Sequence, residues 1–248
     1  MAIDLLDGIA RVLDSNGDTA GTGFLITNGG LIITCAHVVR SDSVVWVVFH
    51  KTGTKQQADV LPDRSDPDAD FAFLQLRGTK PKEVVPLPLG PSQGCEGHPY
   101  LSLGYPKDGE VEARWPQGRI GGPVPVGEQR WLQIQGAEVD KGMSGAPVLD
   151  QENGYVVGML TGYKDLAREN YAPDVRFAYA IPTEMLVDMC PKLACVLQTR
   201  PSETPFMADD LPPDFVQRPE EFELLVKTLL AKGEGPVGIT TALRGAGG

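Results

Sequence analysis

From Ile9 to Ile181 the chain is written in short runs of β-branched and aromatic residues, each cut off by glycine, proline, asparagine or aspartate. The runs at 23–26, 31–34, 44–49, 71–76, 131–135, 146–149, 155–161 and 177–181 have the length and composition of strands, with no helical periods between them. Such spacing predicts an all-β domain, an antiparallel sandwich or barrel. Composition agrees. The 29 glycines and 21 prolines, about a fifth of the 248 residues, exclude a helical bundle, whose interior tolerates few of either. A chain of this length also has interior enough for a real core without covalent staples.

The formal charge is −11, and no block of consecutive lysines and arginines offers a footprint for phosphate backbones, so nucleic acid is not expected as a partner. The longest apolar stretches, at 30–34, 44–49 and 155–160, fall far short of the roughly 20 residues that cross a bilayer, so no membrane partner is expected either. The opening Met1-Ala-Ile-Asp-Leu-Leu-Asp carries acids where a secretory signal carries bases. Cys35, Cys95, Cys190 and Cys195 form no CxxC pair and no Cys/His ligand spacing, which gives a metal site little support. The low cysteine content and the acidic start lead us to expect a cytoplasmic protein.

One helix is predicted near the end of the β-rich region, at 183–197 behind Pro182, with Thr183 as its candidate cap. Cys190 and Cys195 fall in or beside it and read as free thiols. Pro201, Pro205, Pro212, Pro213 and Pro219 then mark an extended linker. Phe222, Leu225, Val226, Leu229 and Leu230 recur at helical spacing beyond it, before Pro236-Val-Gly-Ile-Thr-Thr-Ala-Leu and Arg244-Gly-Ala-Gly-Gly. These shifts divide the sequence at 1–198, 199–219 and 220–248.

The most informative serine is Ser144, in Lys141-Gly-Met-Ser-Gly-Ala-Pro-Val. A serine flanked by glycines at a tight turn can present its Oγ, while the amides of Gly142 and Ser144 can face a developing oxyanion. A serine hydroxyl is a weak nucleophile without a base, and the chain has only His37, His50 and His98 to offer. His37 follows two strands joined by a glycine turn, a rigid mount; His50 and His98 read as ordinary surface residues. The acid to orient the imidazole is best supplied by Asp70, at the start of the apolar run Asp70-Phe-Ala-Phe-Leu; Asp66 and Asp68 lie in the polar loop before it.

Taken in order, Gly21-Thr-Gly-Phe, Thr34-Cys-Ala-His37, Asp70-Phe-Ala-Phe-Leu, Gly104-Tyr-Pro, Gly142-Met-Ser144-Gly and Gly158-Met-Leu-Thr-Gly resemble the trypsin-like serine proteases, particularly their compact bacterial branch. Phe177-Ala-Tyr-Ala-Ile-Pro resembles the end of that branch's second barrel, so the likeness covers about residues 5–195. The resemblance implies two six-stranded antiparallel barrels with a cleft between them and a serine endopeptidase with the triad His37, Asp70 and Ser144. It implies a protein substrate and no cofactor. It also points to Glu138, six residues before Ser144, as the base of a specificity pocket favouring arginine or lysine. Thr161, Gly162 and Tyr163 would form the opposite wall. Met143 stands where zymogen-type members carry an aspartate, so activation by a newly cut N-terminus is not expected.

The stretch 237–248 is similar to the strand and glycine-rich opening of a phosphate-binding loop whose Lys and Ser/Thr would follow Gly248. With the helix before it, it resembles the entry to the nucleotide-binding domain of STAND NTPases, the NLR-like signalling ATPases. That resemblance implies a protease effector within a larger ATP- and Mg-dependent sensor, partnered by its own NTPase and sensor domains and serving antiviral defence. Two other readings were weighed: an inactive protease fold used for interaction or oligomerisation, and an α/β-hydrolase esterase. Ala146 breaks the Gly-x-Ser-x-Gly turn that the esterase requires.

Overall fold

The computed structural model describes residues 3–40, 42–107, 113–127, 129–136, 143–161 and 177–190. The first six strands are β1 (Ile9–Leu13), β2 (Thr19–Leu25), β3 (Leu31–Thr34), β4 (Val44–Phe49), β5 (Lys55–Asp66) and β6 (Phe71–Leu76). They close into an antiparallel barrel in the order β1-β2-β3-β6-β5-β4. The next six are β7 (Pro99–Ser102), β8 (Gln117–Val126), β9 (Gln129–Gln135), β10 (Pro147–Asp150), β11 (Tyr155–Thr161) and β12 (Phe177–Pro182). They close a second barrel in the order β10-β11-β12-β9-β8-β7. Closure leaves neither sheet with an unpaired edge.

β3, β4, β6 and β11 occupy the predicted runs, because their apolar residues are buried on both sides or alternate cleanly. β5 and β8 were not legible. β5 is mostly polar and half-exposed and contains Pro62; its pairing with β6 shifts register between Leu61 and Asp66. β8 carries Gly121, Gly122, Pro123 and Pro125 and has an irregular register against β9 between Ile120 and Pro123. Breakers of this kind signal loops in sequence and bulges in a barrel wall.

Two short helices follow strand ends: α1 (Ala36–Val39) and α2 (Thr183–Met189). Pro182 occupies the cap position of α2, and Thr183, the expected cap, instead donates its buried hydroxyl to the Gly90 carbonyl at 2.6 Å. Cys35, Cys95 and Cys190 are buried, and none of the three forms a disulfide. The predicted helix beyond residue 190, the linker at 199–219 and the fragment at 220–248 lie outside the described residues.

The larger core fills the first barrel with Ile9, Phe24, Ile32, Ile33, Phe49, Phe71 and Phe73. It runs on without a break to Leu103, Trp131, Leu149, Met159 and Ile181 from the second half. A smaller core of Tyr100, Ile120, Leu132, Ile134, Val148, Val157 and Leu160 fills the second barrel. Phe71 and Phe73 meet edge to face, with ring centroids 6.0 Å apart. Phe73→Ala removes a fully buried ring from β6 between two paired neighbours; we expect a loss of about 3–5 kcal/mol in urea unfolding monitored by tryptophan fluorescence.

Candidate active site

β3 ends at Thr34, and Cys35 turns the chain into α1, the single turn that carries His37. The imidazole side chain remains 46% exposed, so one edge is open to an incoming molecule. Its other edge is held: Nδ1 lies 2.8 Å from Asp70 Oδ1 and 2.9 Å from Oδ2, and the His37 backbone amide donates to Oδ1 at 3.1 Å. Asp70 has φ of +58°, a left-handed conformation that a residue with a Cβ adopts only under constraint. The preceding loop supplies that constraint, because Asp66 Oδ1 accepts the amides of Asp68 and Ala69, each at 2.9 Å. Asp66 shapes the loop and Asp70 faces the histidine, which separates the two acids by role.

Asp70 is buried, and its second oxygen accepts a hydrogen bond from the Thr161 hydroxyl at the end of β11. Burial pushes the Asp70 carboxyl up, but the hydrogen bonds from His37 and Thr161 and the neighbouring imidazole together hold it below the ordinary carboxylate value. Asp70 is therefore an anion at neutral pH, with the Nδ1 edge of His37 directed to it. Thr161, expected in the pocket wall, is 2% exposed and its hydroxyl serves Asp70. The linear pattern could not show this, since a threonine closing an apolar strand looks like packing.

Ser144 sits in the turn before β10, and three backbone bonds fix that turn. Its carbonyl accepts the Thr22 amide of β2 at 2.9 Å, the Gly145 amide donates to Leu160 O at 2.8 Å, and the Ala146 amide donates to Met143 O at 3.0 Å. The Thr22 carbonyl in turn accepts the Thr34 hydroxyl at 2.6 Å, so the end of β3 and the serine turn are fastened to the same residue. Two glycines permit the approach. At Gly145 φ is +89° and a Cβ would stand 1.9 Å from the Thr22 carbonyl oxygen. At Gly21 a Cβ would lie 2.5 Å from Val38 of α1 and 3.1 Å from the Ser144 carbonyl oxygen. The bare Gly21 backbone is thus the point where the histidine turn and the serine turn come together. Cys35, fully buried, reaches across to Leu160 O at 3.3 Å, the same carbonyl that holds Gly145. Burial and the nearby Asp70 anion raise its thiol well above the usual range, which keeps it neutral.

Gly142, Glu138, Gly162 and Tyr163 lie outside the described residues. His50 is an exposed residue hydrogen-bonded through Nδ1 to the Tyr105 hydroxyl at 2.7 Å. His98 is not an ordinary surface histidine: its Nδ1 is 2.9 Å from a fully buried Asp150, because the β7–β10 pairing draws the two together.

A family model for the trypsin-like peptidase domain matches residues 21–159, from the Gly21 contact through most of β11. The chain belongs to that family. A Brucella suis protein named as a DegP-like periplasmic serine endoprotease is 32% identical over 173 residues, 66% of this chain and 30% of its own length. The chain therefore spans about 30% of the curated relatives it first matches. The HtrA-type protease AlgW with a decapeptide superposes with a TM-score of 0.60 at 17% identity, covering 76% of this chain and 65% of that one. The Rv3671c protease in its inactive form gives 0.58 at 24% identity, covering 77% and 90%. Both structures share the fold described above.

Gly145→Ala sets a methyl group into the Thr22 carbonyl and adds the strain of a positive φ; we expect hydrolytic activity to fall at least about a hundredfold with the barrels still folded, read by peptide turnover beside circular dichroism. The lowered Asp70 carboxyl also has a consequence for acid stability. Above the ordinary aspartate value near 3.9 both the folded and the unfolded chain carry it ionised, and its contribution to stability is complete. As pH falls below that value the unfolded chain binds the proton first, and the contribution drains away until pH passes the lower folded value. Asp70→Asn should flatten this part of the stability curve, measured as the urea midpoint between pH 6 and pH 2.

Proposed function

We propose that the chain is a serine endopeptidase domain in which Ser144 is the nucleophile, His37 the general base and acid, and Asp70 the anion that orients His37. The observation that carries this reading is the doubly hydrogen-bonded Asp70, buried between His37 and Thr161 beside the turn that bears Ser144. In the reaction Ser144 Oγ attacks the scissile carbonyl carbon while its proton passes to His37 Nε2. The carbonyl oxygen takes up the displaced electron pair, and the amides of Gly142 and Ser144 stabilise it. Collapse breaks the C–N bond, His37 gives its proton to the departing amine, and an ester remains on Ser144. Water, deprotonated by His37, hydrolyses that ester, releases the acid and returns the proton to Ser144. These steps require no cofactor.

The substrate is a protein. The match to peptide-cleaving relatives and the exposed edge of His37 at the site support this. The family resemblance assigns Glu138, Gly162 and Tyr163 to a specificity pocket, and the Glu138 carboxylate favours arginine or lysine before the scissile bond through charge-assisted pairing. The glycine-rich stretch at 237–248 supports a larger architecture in which this domain is the effector of an NLR-like STAND ATPase. It would be switched on when that protein oligomerises with ATP and Mg, and would cleave a partner protein in antiviral defence. The three cysteines among the described residues are buried and unbridged, which suits a reducing cytoplasmic setting, whereas the Brucella relative is named as periplasmic.

A fluorophosphonate probe tests the nucleophile: the wild-type chain is labelled and Ser144→Ala is not. Turnover of an arginine-containing peptide falls about a millionfold in Ser144→Ala if the three residues act as a unit. A folded wild-type chain that takes no label even alongside its full-length ATPase would favour the inactive interaction module instead.

A further inference from the structure

Away from the serine turn, the chain builds a second cluster of donor side chains. Cys95-Glu-Gly-His98, a Cys-x2-His spacing that the sequence expectation of no ligand spacing passed over, leads into β7, and β10, which runs from the serine turn to Asp150, pairs with β7 so that Asp150 stands opposite Tyr100. One donor atom from each of Cys95, His98 and Asp150 lies within 4.8 Å of the other two. Cys95 and Asp150 are fully buried, and the His98 side chain is 21% exposed. His98 Nδ1 is 2.9 Å from Asp150 Oδ2, and its other nitrogen, Nε2, is 3.2 Å from Glu152 Oε2. The Asp150 carboxylate is itself fixed by the Glu152 and Asn153 amides on Oδ1, at 2.9 and 3.3 Å, and by Asn153 Nδ2 on Oδ2 at 2.5 Å. The Cys95 thiol lies 3.5 Å from Pro91 O and also reaches the Asp150 carboxylate.

A thiol, an imidazole nitrogen and a carboxylate oxygen converging on one point, with the far side of the imidazole on a second carboxylate, is the donor set and outer support that zinc sites use. We propose that Cys95, His98 and Asp150 bind a zinc ion, with Glu152 holding His98 from outside. Tetrahedral zinc sets its ligand atoms roughly 3.4–3.6 Å apart, so the His98–Asp150 pair opens by about half an ångström and Cys95 closes in. Binding displaces the Cys95 thiol proton and the His98 Nδ1 proton to solvent, and water completes the fourth position. The ion ties the loop before β7 to the β10–β11 turn, at the end of β10 farther along the chain from Ser144. Its effect is on the stability of the second barrel and not on the chemistry of the cleft. The cluster stands on residues that the proposed reaction does not use.

Cobalt(II) is the probe, because a thiolate ligand gives it an intense charge-transfer band in the near ultraviolet. The experiment uses the whole chain in the Ser144→Ala background, reduced and metal-free. Cys35, His37 and Asp70 form another cluster of the same reach, so the variants must tell the two apart. One equivalent of cobalt produces the band, zinc abolishes it by displacement, Cys35→Ser keeps it and Cys95→Ser loses it. Glu152→Gln, at a half-exposed position, weakens zinc binding about 10–100-fold, and zinc raises the melting temperature of the Cys35→Ser chain. Absence of the band, or a band that survives Cys95→Ser and disappears in Cys35→Ser, overturns the proposal. Should Cys95→Ser fail to fold by circular dichroism, His98→Ala and Glu152→Gln decide: an unchanged zinc affinity in both overturns it.

Discussion

A single residue of the first barrel, Thr22, organises the site. Its amide holds the carbonyl of Ser144, its carbonyl takes the hydroxyl of Thr34 and presses against the bare Cα of Gly145, and its own hydroxyl accepts the amide of Tyr105. These partners come from three separate stretches of chain: Thr34, Tyr105 and the Ser144–Gly145 turn. The seam between the barrels therefore brings main chain against main chain at Thr22 and Ser144, and the Thr22 and Thr161 hydroxyls and the Cys35 thiol add bonds around it. Such bonds are directional and costly to leave unmade in a dry interior, so they hold the two separately closed sheets in one arrangement.

The division of labour follows. The first barrel contributes a hydrogen-bonded pair, His37 and Asp70, held by a left-handed aspartate and a turn of helix. The second contributes the turn of Ser144 and, through Thr161, the hydrogen bond that completes the solvation of Asp70. A buried carboxylate is tolerable only with partners for both oxygens, and Asp70 draws one partner from each barrel. Its ionisation is thus a property of the assembled pair of barrels.

Much of this was open to a reader of the sequence, for a physical reason in each case. Val44–Phe49 and Tyr155–Thr161 show as strands because burial selects branched and aromatic residues there, and Gly21-Thr-Gly-Phe keeps two glycines because a backbone must pass on either side. β5 stayed hidden since a barrel wall facing water needs little apolar surface, and β8 because its prolines serve at irregular register. The tasks of Thr161 and Thr183 were equally hidden. Both hydroxyls bond groups about 90 positions away in sequence, and no local pattern encodes a partner at that remove. His98 and Asp150 meet for the same kind of reason, through pairing between β7 and β10 that neither residue's neighbourhood announces.

The fully buried Cys35 thiol, bonded from the first barrel to a carbonyl of the second, gives the seam an internal clock. A thiol reagent can reach that sulfur only after the end of β3 has parted from Leu160. The rate at which Cys35 becomes alkylated in the native state then reports how often the two halves separate, with no residue substituted. Opening at this place also frees the carbonyl that holds Gly145. The same clock therefore times the moments at which the serine turn is loose.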